Sequence, residues 1–267
     1  MTAVASRSAD AAAALAARLP GTPAVAPAAA CAAADIVFLT VPDDALAAAC
    51  AALPWRPGQL AVHCSGATEL TALDAARAAG AGVAGFHPLQ IFSDPGRGLA
   101  RLRGSSVAIE VGGGGPPSAA DWLGALAQDL GLEVITVPAG ARALYHAAAS
   151  HSASFLLSLL QESLDLWARF GVGPQAALAA LLPLARGTLD AAAAAGPAGA
   201  LSGPLSRGDA GVVRRHLQAL HALGGDHGDF YRVLARRQLR LAHDAGRLDP
   251  ATLAALAAVL DGPGRGP

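Results

Sequence analysis

Apolar and polar positions change their period once along this chain. Up to about residue 137, short apolar runs alternate with stretches of helical spacing; from Ala139 onward only the helical spacing remains. The runs Thr2–Ser6, Ala24–Val25, Asp35–Val41, Gln59–His63, Gly82–Phe86, Ser105–Val111 and Glu133–Val137 predict strands. Between them lie predicted helices over Ala9–Leu19, Ala28–Ala33, a stretch from Pro42-Asp43-Asp44 to Leu53-Pro54, Glu69–Ala79 and Ser118–Leu130. Asp35–Val41 is the most continuous apolar run, the pattern of a strand buried on both faces. This alternation predicts an α/β fold: a Rossmann-like, doubly wound parallel sheet over residues 1–138, followed by an all-α domain over 139–261 and a disordered tail over 262–267.

The second half opens on a predicted helix from Arg142 to Phe170, stopped by Gly171. Leu156, Leu160, Leu164 and Trp167 recur at the spacing of a buried face. His146, Ser150, Ser154 and Ser158 form a polar row, because four-residue steps drift by only about 40° on a helix. The row reads either as serines bonding their own backbone or as one wall of a cleft. Helices over Pro174–Ala194, Asp209–Leu223, His227–Ala245 and Pro250–Leu260 follow, with a loop at Ala191–Gly203.

Composition narrows the function. Among 267 residues the formal charge is -1, so no global field favours nucleic acid or an anionic membrane. Mean hydropathy is +0.41, but alanine supplies much of it, and no bulky apolar run reaches spanning length without charges or prolines. Three scattered cysteines, Cys31, Cys50 and Cys64, predict a reducing, cytoplasmic setting. None of the eight histidines stands at a metal-ligand spacing, and no metal is expected.

Candidate chemistry collects where strands end. Ser6-Arg7-Ser8 follows the first strand, where a dinucleotide fold reads the adenosine ribose; an Arg with serine hydroxyls there suits a 2′-phosphate. The Gly-rich turn that should precede this strand is missing. The chain therefore reads as starting at the second strand, from a truncated or degenerate gene. Gly112–Gly115 is a poor substitute, since it follows a late strand and runs into prolines. Val41-Pro42-Asp43 and His63-Cys64-Ser65-Gly66 fall at strand ends, the edge where open α/β sheets bind ligands. His87-Pro88-Leu89-Gln90 ends a further strand, and His87 or His146 is a candidate general acid. Arg207 is a candidate clamp for a substrate carboxylate, and Asp209 a natural N-cap. Arg232, Arg236, Arg237 and Arg240 share a helix face and read as a solvated or intersubunit surface.

With those residues assembled, the chain resembles a family of bacterial Rossmann-like proteins with a DUF2520 C-terminal domain. These are distantly similar to pyrroline-5-carboxylate reductase, ketopantoate reductase and 6-phosphogluconate dehydrogenase. The resemblance rests on His63-Cys-Ser-Gly-Ala67, His87-Pro-Leu-Gln90, Tyr145-His-Ala-Ala-Ala149 and Ser202-Gly-Pro-Leu-Ser-Arg-Gly-Asp209. It implies an NADP-binding domain and a helical domain that often dimerises, with the active site where the long helix begins. The implied activity is reduction of a C=O or C=N group of a small carboxylate. His87, His146 and Ser154 are the expected catalytic residues. Ser6, Arg7, Ser8, Val41, Pro42, His63, Ser65 and Gly66 are expected to hold NADP, and Gln90, Ser150 and Arg207 the substrate. A homodimer through the helical domain is expected, with neither nucleic acid nor membrane as partner. The chain departs from the family where a Ser-Asn pair is expected: it has Ala153-Ser154, and Ser lacks the amide's paired donor and acceptor. The alternative is a non-catalytic ligand-binding or scaffold protein that kept the fold.

Overall fold

The computed structural model describes residues 1–114 and 118–262. Gly115-Pro116-Pro117 of the expected loop, and the tail from 263, lie outside them. The chain divides into two compact units, Met1–Phe155 and Leu156–Pro267, so the first turns of the expected long helix pack with the sheet.

The first unit carries a five-stranded sheet in sequential order: β1 (Ile36–Leu39), β2 (Leu60–His63), β3 (Gly82–Pro88), β4 (Ser106–Val111) and β5 (Glu133–Thr136). β1, β2 and β3 are parallel, as are β4 and β5, but β3 and β4 run antiparallel, so the sheet is not wholly parallel as expected. Its helices are α1 (Ala9–Ala16), α2 (Pro27–Ala32), α3 (Leu46–Ala51), α4 (Asp74–Ala78), α5 (Pro95–Ala100), α6 (Ala119–Leu130) and α7 (Arg142–Ser152). The runs expected as the first two strands meet only as a single parallel bridge, Val4 to Ala24, outside the five-stranded sheet. β1 is therefore an edge strand, and Phe38 is 36% exposed, not enclosed on both faces. Hydrophobic continuity in a four-residue strand does not distinguish edge from centre.

Strand alternation sorts the side chains into two cores. One face sets Leu60, Val62, Ala84, Phe86, Val107 and Ile109 against Leu123 and Ala127 of α6. The opposite face sets Leu39, Ala61 and Val83 against Leu46 and Cys50 of α3 and Leu73 and Ala76 beside and within α4. At the carboxyl edge of that second face the row turns polar. Register pairs His63 with Gly85, and Gly85 with Glu110, so these three positions lie side by side across β2, β3 and β4.

Arg142, the first residue of α7, fills the top of this row and is fully buried. Its Nε donates to Glu110 Oε2 at 2.5 Å and its Nη1 to the Ser65 carbonyl at 2.8 Å. Gly85 makes room for it: a Cβ there would lie 1.8 Å from Arg142 Nη2. Glu69 completes the attachment. Its carboxylate accepts the N–H groups of Gly140 and Arg142, both at 3.1 Å, and so caps α7, which has no side-chain cap of its own.

The second unit is helical: α8 (Ser154–Ala168), α9 (Pro174–Gly199), α10 (Gly203–Arg207), α11 (Ala210–Leu223), α12 (His227–Asp244) and α13 (Pro250–Asp261). The expected single helix from Arg142 to Phe170 is thus two, broken at Ala153 (φ -120°, ψ -75°). Ala191–Gly203 is mostly helix, not loop: α9 runs to Gly199 with a break at Gly196, whose φ is 70°, and Ala200, Leu201 and Ser202 separate it from α10. The core of this unit joins Leu205, Val213, Leu217, Ala235, Leu239, Leu256 and Leu260 from α10 to α13. α8 and α9 contribute little to it. Leu157, Leu184 and Leu189 are 66%, 67% and 55% exposed, and Leu156, Leu160, Leu164 and Trp167 are only half-buried. The stretch Pro174–Arg207 is long and apolar enough to cross a membrane by length and composition, although it carries Pro183, Arg186 and Asp190.

Gly85→Ala should evict the Arg142 guanidinium and leave Glu110 buried without its partner. The expected loss is about 3–5 kcal/mol, the usual cost of breaking a buried pair, measured by urea unfolding.

Candidate functional site

Because α7 is fixed by Arg142 and Glu69, its next turn lies over the ends of β2 and β3. Tyr145 Oη comes to 2.9 Å from His87 Nδ1 at the end of β3, with the two rings edge to face. His146 follows, its ring centroid 6.1 Å from that of His87. Both histidines close on Gly66: a Cβ there would lie 2.6 Å from His146 Cδ2 and 2.9 Å from His87 Cε1. The absence of a side chain at residue 66 therefore lets three elements converge.

Ser65 joins this cluster to the end of β1. Its hydroxyl donates to Asp43 Oδ2 at 2.7 Å, accepts the N–H groups of Ala67 and Thr68, and lies 2.9 Å from Thr68 Oγ1. Its backbone N–H reaches His63 Nδ1 at 3.2 Å, so His63 carries its proton on Nε2. That nitrogen is buried without a partner, as is Arg142 Nη2. Burial, and next the positive charge of Arg142, pull the His63 pKa down to about 4 despite Asp43 and Glu69. His87 is also lowered to about 4, first by burial, then by His146 and Arg142, with Asp43 opposing. Burial raises the Tyr145 phenol, and Arg142 partly offsets that rise. The edge thus holds neutral hydrogen-bonding rings close to a buried cation. Among the described residues no group of three or more His, Cys, Asp or Glu is placed to hold a metal ion.

The expected site residues fall into distinct places. His87, His146, Ser65 and Gly66 come together at this edge, with Val41 and Pro42 following the neighbouring β1. His63 lies beneath it, fully buried, where its side chain meets protein and not solvent. Ser6, Arg7 and Ser8 sit at the start of α1. Ser8 Oγ caps the helix through Ala11 N–H, Ser6 Oγ accepts the Ser8 N–H, and Arg7 is exposed with no ion-pair partner among the described residues. The Gln90 amide is taken up locally, donating to the Arg101 carbonyl and Ser105 Oγ and accepting the Ile91 N–H. Ser150 donates to the His146 carbonyl one turn back. Ser154 is exposed beyond the break at Ala153, which interrupts the expected polar row. Arg207 pairs with Asp209 at 3.0 Å, and Asp209 makes no capping bond to its helix. A short ion pair to the preceding turn competes with the cap. Gly80–Gly85 spells G-x-G-x-x-G, but it leads from a turn into β3, and Gly85 accommodates Arg142.

Tyr145 stands in one of the motifs that carry the resemblance and Arg142 at the predicted helix start, but the sequence alone assigns no role to either, nor to Glu110 or Glu69. Spacing is a second signal beside that motif: Arg142 and Tyr145 are one turn apart on a helix that follows a strand.

The two lowered histidines give stability a pH dependence. Each ring stays neutral in the fold down to about pH 4, while the unfolded chain takes up its protons near pH 6.5. Below 6.5 the unfolded state therefore binds more protons. Stability should be full above pH 6.5 and fall toward pH 4, by up to about 1.4 kcal/mol per pH unit for each ring. Urea unfolding between pH 7.5 and 4.5 measures this, and His87→Gln should remove about half of the slope.

Comparison with known proteins places the architecture. A protein from Thermotoga maritima, TM1727, is similar over 91% of this chain and 91% of its own, with a TM-score of 0.73 and 21% identity. A reductive aminase from Aspergillus terreus in complex with NADPH and ethyl-5-oxohexanoate is 18% identical over 96% of this chain and 83% of its own, with a TM-score of 0.58. A 1-pyrroline-5-carboxylate reductase from Streptococcus pyogenes is 14% identical over 92% of this chain and 89% of its own, with a TM-score of 0.59. No curated protein matches the sequence. A Rossmann-like domain is matched over residues 1–88, and a domain of unknown function, DUF2520, over residues 108–238, which begins within the sheet at β4 and not at 139. The chain belongs to the family that joins a Rossmann-like domain to a DUF2520 domain.

Proposed function

We propose that this chain is an NADP-dependent oxidoreductase that reduces a C=O or C=N group of a small carboxylate. The observation that carries this reading is the His87–Tyr145–His146 cluster at the carboxyl edge of β1 to β3. In open α/β sheets that edge is where dinucleotides meet their substrates. Similarity to a reductive aminase solved with NADPH and to a pyrroline-5-carboxylate reductase supports nicotinamide-dependent reduction.

The residues present fit the cofactor at its two ends. Arg7, with Ser6 and Ser8 at the start of α1, would take the 2′-phosphate through charge-assisted hydrogen bonds. Val41, Pro42, Ser65 and Gly66, on adjoining turns, would border the nicotinamide and its ribose. The cofactor would supply the hydride when bound; the protein's task is to orient the substrate and manage its proton. Ser150 and Arg207 keep their proposed substrate roles only if they exchange their present partners for the ligand.

The helical unit supports a homodimer. The exposed apolar side chains of α8 and α9 are costly in water, and a second copy would cover them. The thiols Cys31, Cys50 and Cys64 are all free, in keeping with a reducing cytoplasm. The engagement of Gln90, Ser150 and Arg207 by partners within the protein favours the second reading, a ligand-binding or scaffold protein.

Titration with NADPH and NADH, followed by nicotinamide fluorescence, decides between them. NADPH should bind well below the millimolar range and more tightly than NADH; no binding of either at about 1 mM ends the reductase reading. Arg7→Ala should reduce the preference for NADPH by about tenfold, the worth of one charge-assisted contact. An unchanged preference would show that another residue reads the phosphate.

A further inference from the structure

Reduction of C=O or C=N needs a proton at the heteroatom as well as a hydride at carbon. His87, Tyr145 and His146 stand together at the edge of the sheet. His87 is a poor proton acceptor, because burial, and then the nearness of His146 and Arg142, keep it neutral down to about pH 4. A phenol proton passed to His87 would create a buried imidazolium facing Arg142. Burial raises the Tyr145 phenol above its ordinary value, and the same Arg142 charge offsets part of that rise. Arg142 thus opposes a proton on one partner and favours its loss from the other. Its own position is fixed by Glu110, the Ser65 carbonyl and the space at Gly85.

We infer that Tyr145 is the catalytic proton donor of the reduction proposed above, an assignment that rests on that reading. His87 donates its Nδ1–H to Tyr145 Oη and leaves the phenol proton free for the substrate. As the substrate carbon gains hydride from the reduced nicotinamide, which leaves oxidised, the π bond of C=O or C=N opens. The Tyr145 O–H bond breaks, and its proton goes to the substrate oxygen or nitrogen. The tyrosinate left behind accepts from His87 Nδ1–H, faces the Arg142 charge and is reprotonated by solvent. Tyr145 is half-buried, within hydrogen-bond reach of His87 on one side and not sealed from the surface. Neither the expected general acids nor the expected catalytic set included it.

The imidazole ¹⁵N shifts of His87 at neutral pH test the hydrogen bond without any substrate. The expected result is an Nδ1–H tautomer in the native protein and a mixture of tautomers in Tyr145→Phe, which keeps the ring and removes the acceptor. An Nε2–H tautomer in the native protein would mean that the phenol proton is spent on His87, and would overturn the assignment while leaving the reductase reading intact. A Tyr145→Phe spectrum identical to the native one would overturn it as well. In turnover with NADPH and a panel of small 2-oxo acids, with and without ammonium, Tyr145→Phe should lose about 100-fold or more in kcat. Its affinity for NADPH should stay within about threefold of native, since no cofactor contact is assigned to this hydroxyl. Retained kcat in that variant overturns the assignment. Failure of the native protein to bind NADPH overturns the reductase reading, and the assignment with it.

Discussion

One buried ion pair organises the first unit. Arg142 and Glu110 are 0% and 8% exposed at their side chains, where unpaired charges could not persist. The attraction between them gains strength from the low dielectric that makes each one costly alone. Gly85 is part of the same arrangement, since only a residue without Cβ leaves space for the guanidinium over β3. The pair therefore does more than hold α7 to the sheet. It sets the phase of the helix, because Arg142 can enter the space at Gly85 only with its next turn facing His87 and Gly66. It also places a fixed positive charge beneath two neutral histidines and a phenol.

Much of the fold was legible because it rests on local patterning. All five strands of the sheet and most of the helices lie where apolar period and turn residues place them. The antiparallel step from β3 to β4 was not legible, because strand direction is set by how a connection crosses the sheet, and that connection contains the short α5. The break at Ala153 was also hidden: Ala is a strong helix former, and nothing in Ser152-Ala153-Ser154 announces non-helical dihedrals. At the candidate site, His87, His146 and Gly66 stood out as motif residues. The groups that hold them did not. Glu110 and Arg142 are far apart in sequence, and each alone reads as an ordinary surface charge. Arg207 and Asp209 show the opposite failure. They looked like separate polar devices, a clamp and a cap, and satisfy each other instead.

The second unit divides its apolar residues unevenly. α10 to α13 bury theirs in one core, whereas α9 shows a largely uncovered surface for its length. An apolar composition that would suit a lipid interior serves equally well against another protein surface. Pro183, Arg186 and Asp190 lie near mid-helix, where a proline and two charges are costly in hydrocarbon.

The edge position of β1 has its own consequence for how the molecule behaves at high concentration. Ile36-Val37-Phe38-Leu39 presents an unpaired outer row of backbone donors and acceptors among the described residues, without a charge or a proline inside the strand. Such a strand is a template for backbone pairing with any extended segment that reaches it. Only Asp35 on one flank and Pro42 on the other act as gatekeepers. Self-association through this edge would add strands one after another, with nothing in the pairing itself to close the assembly.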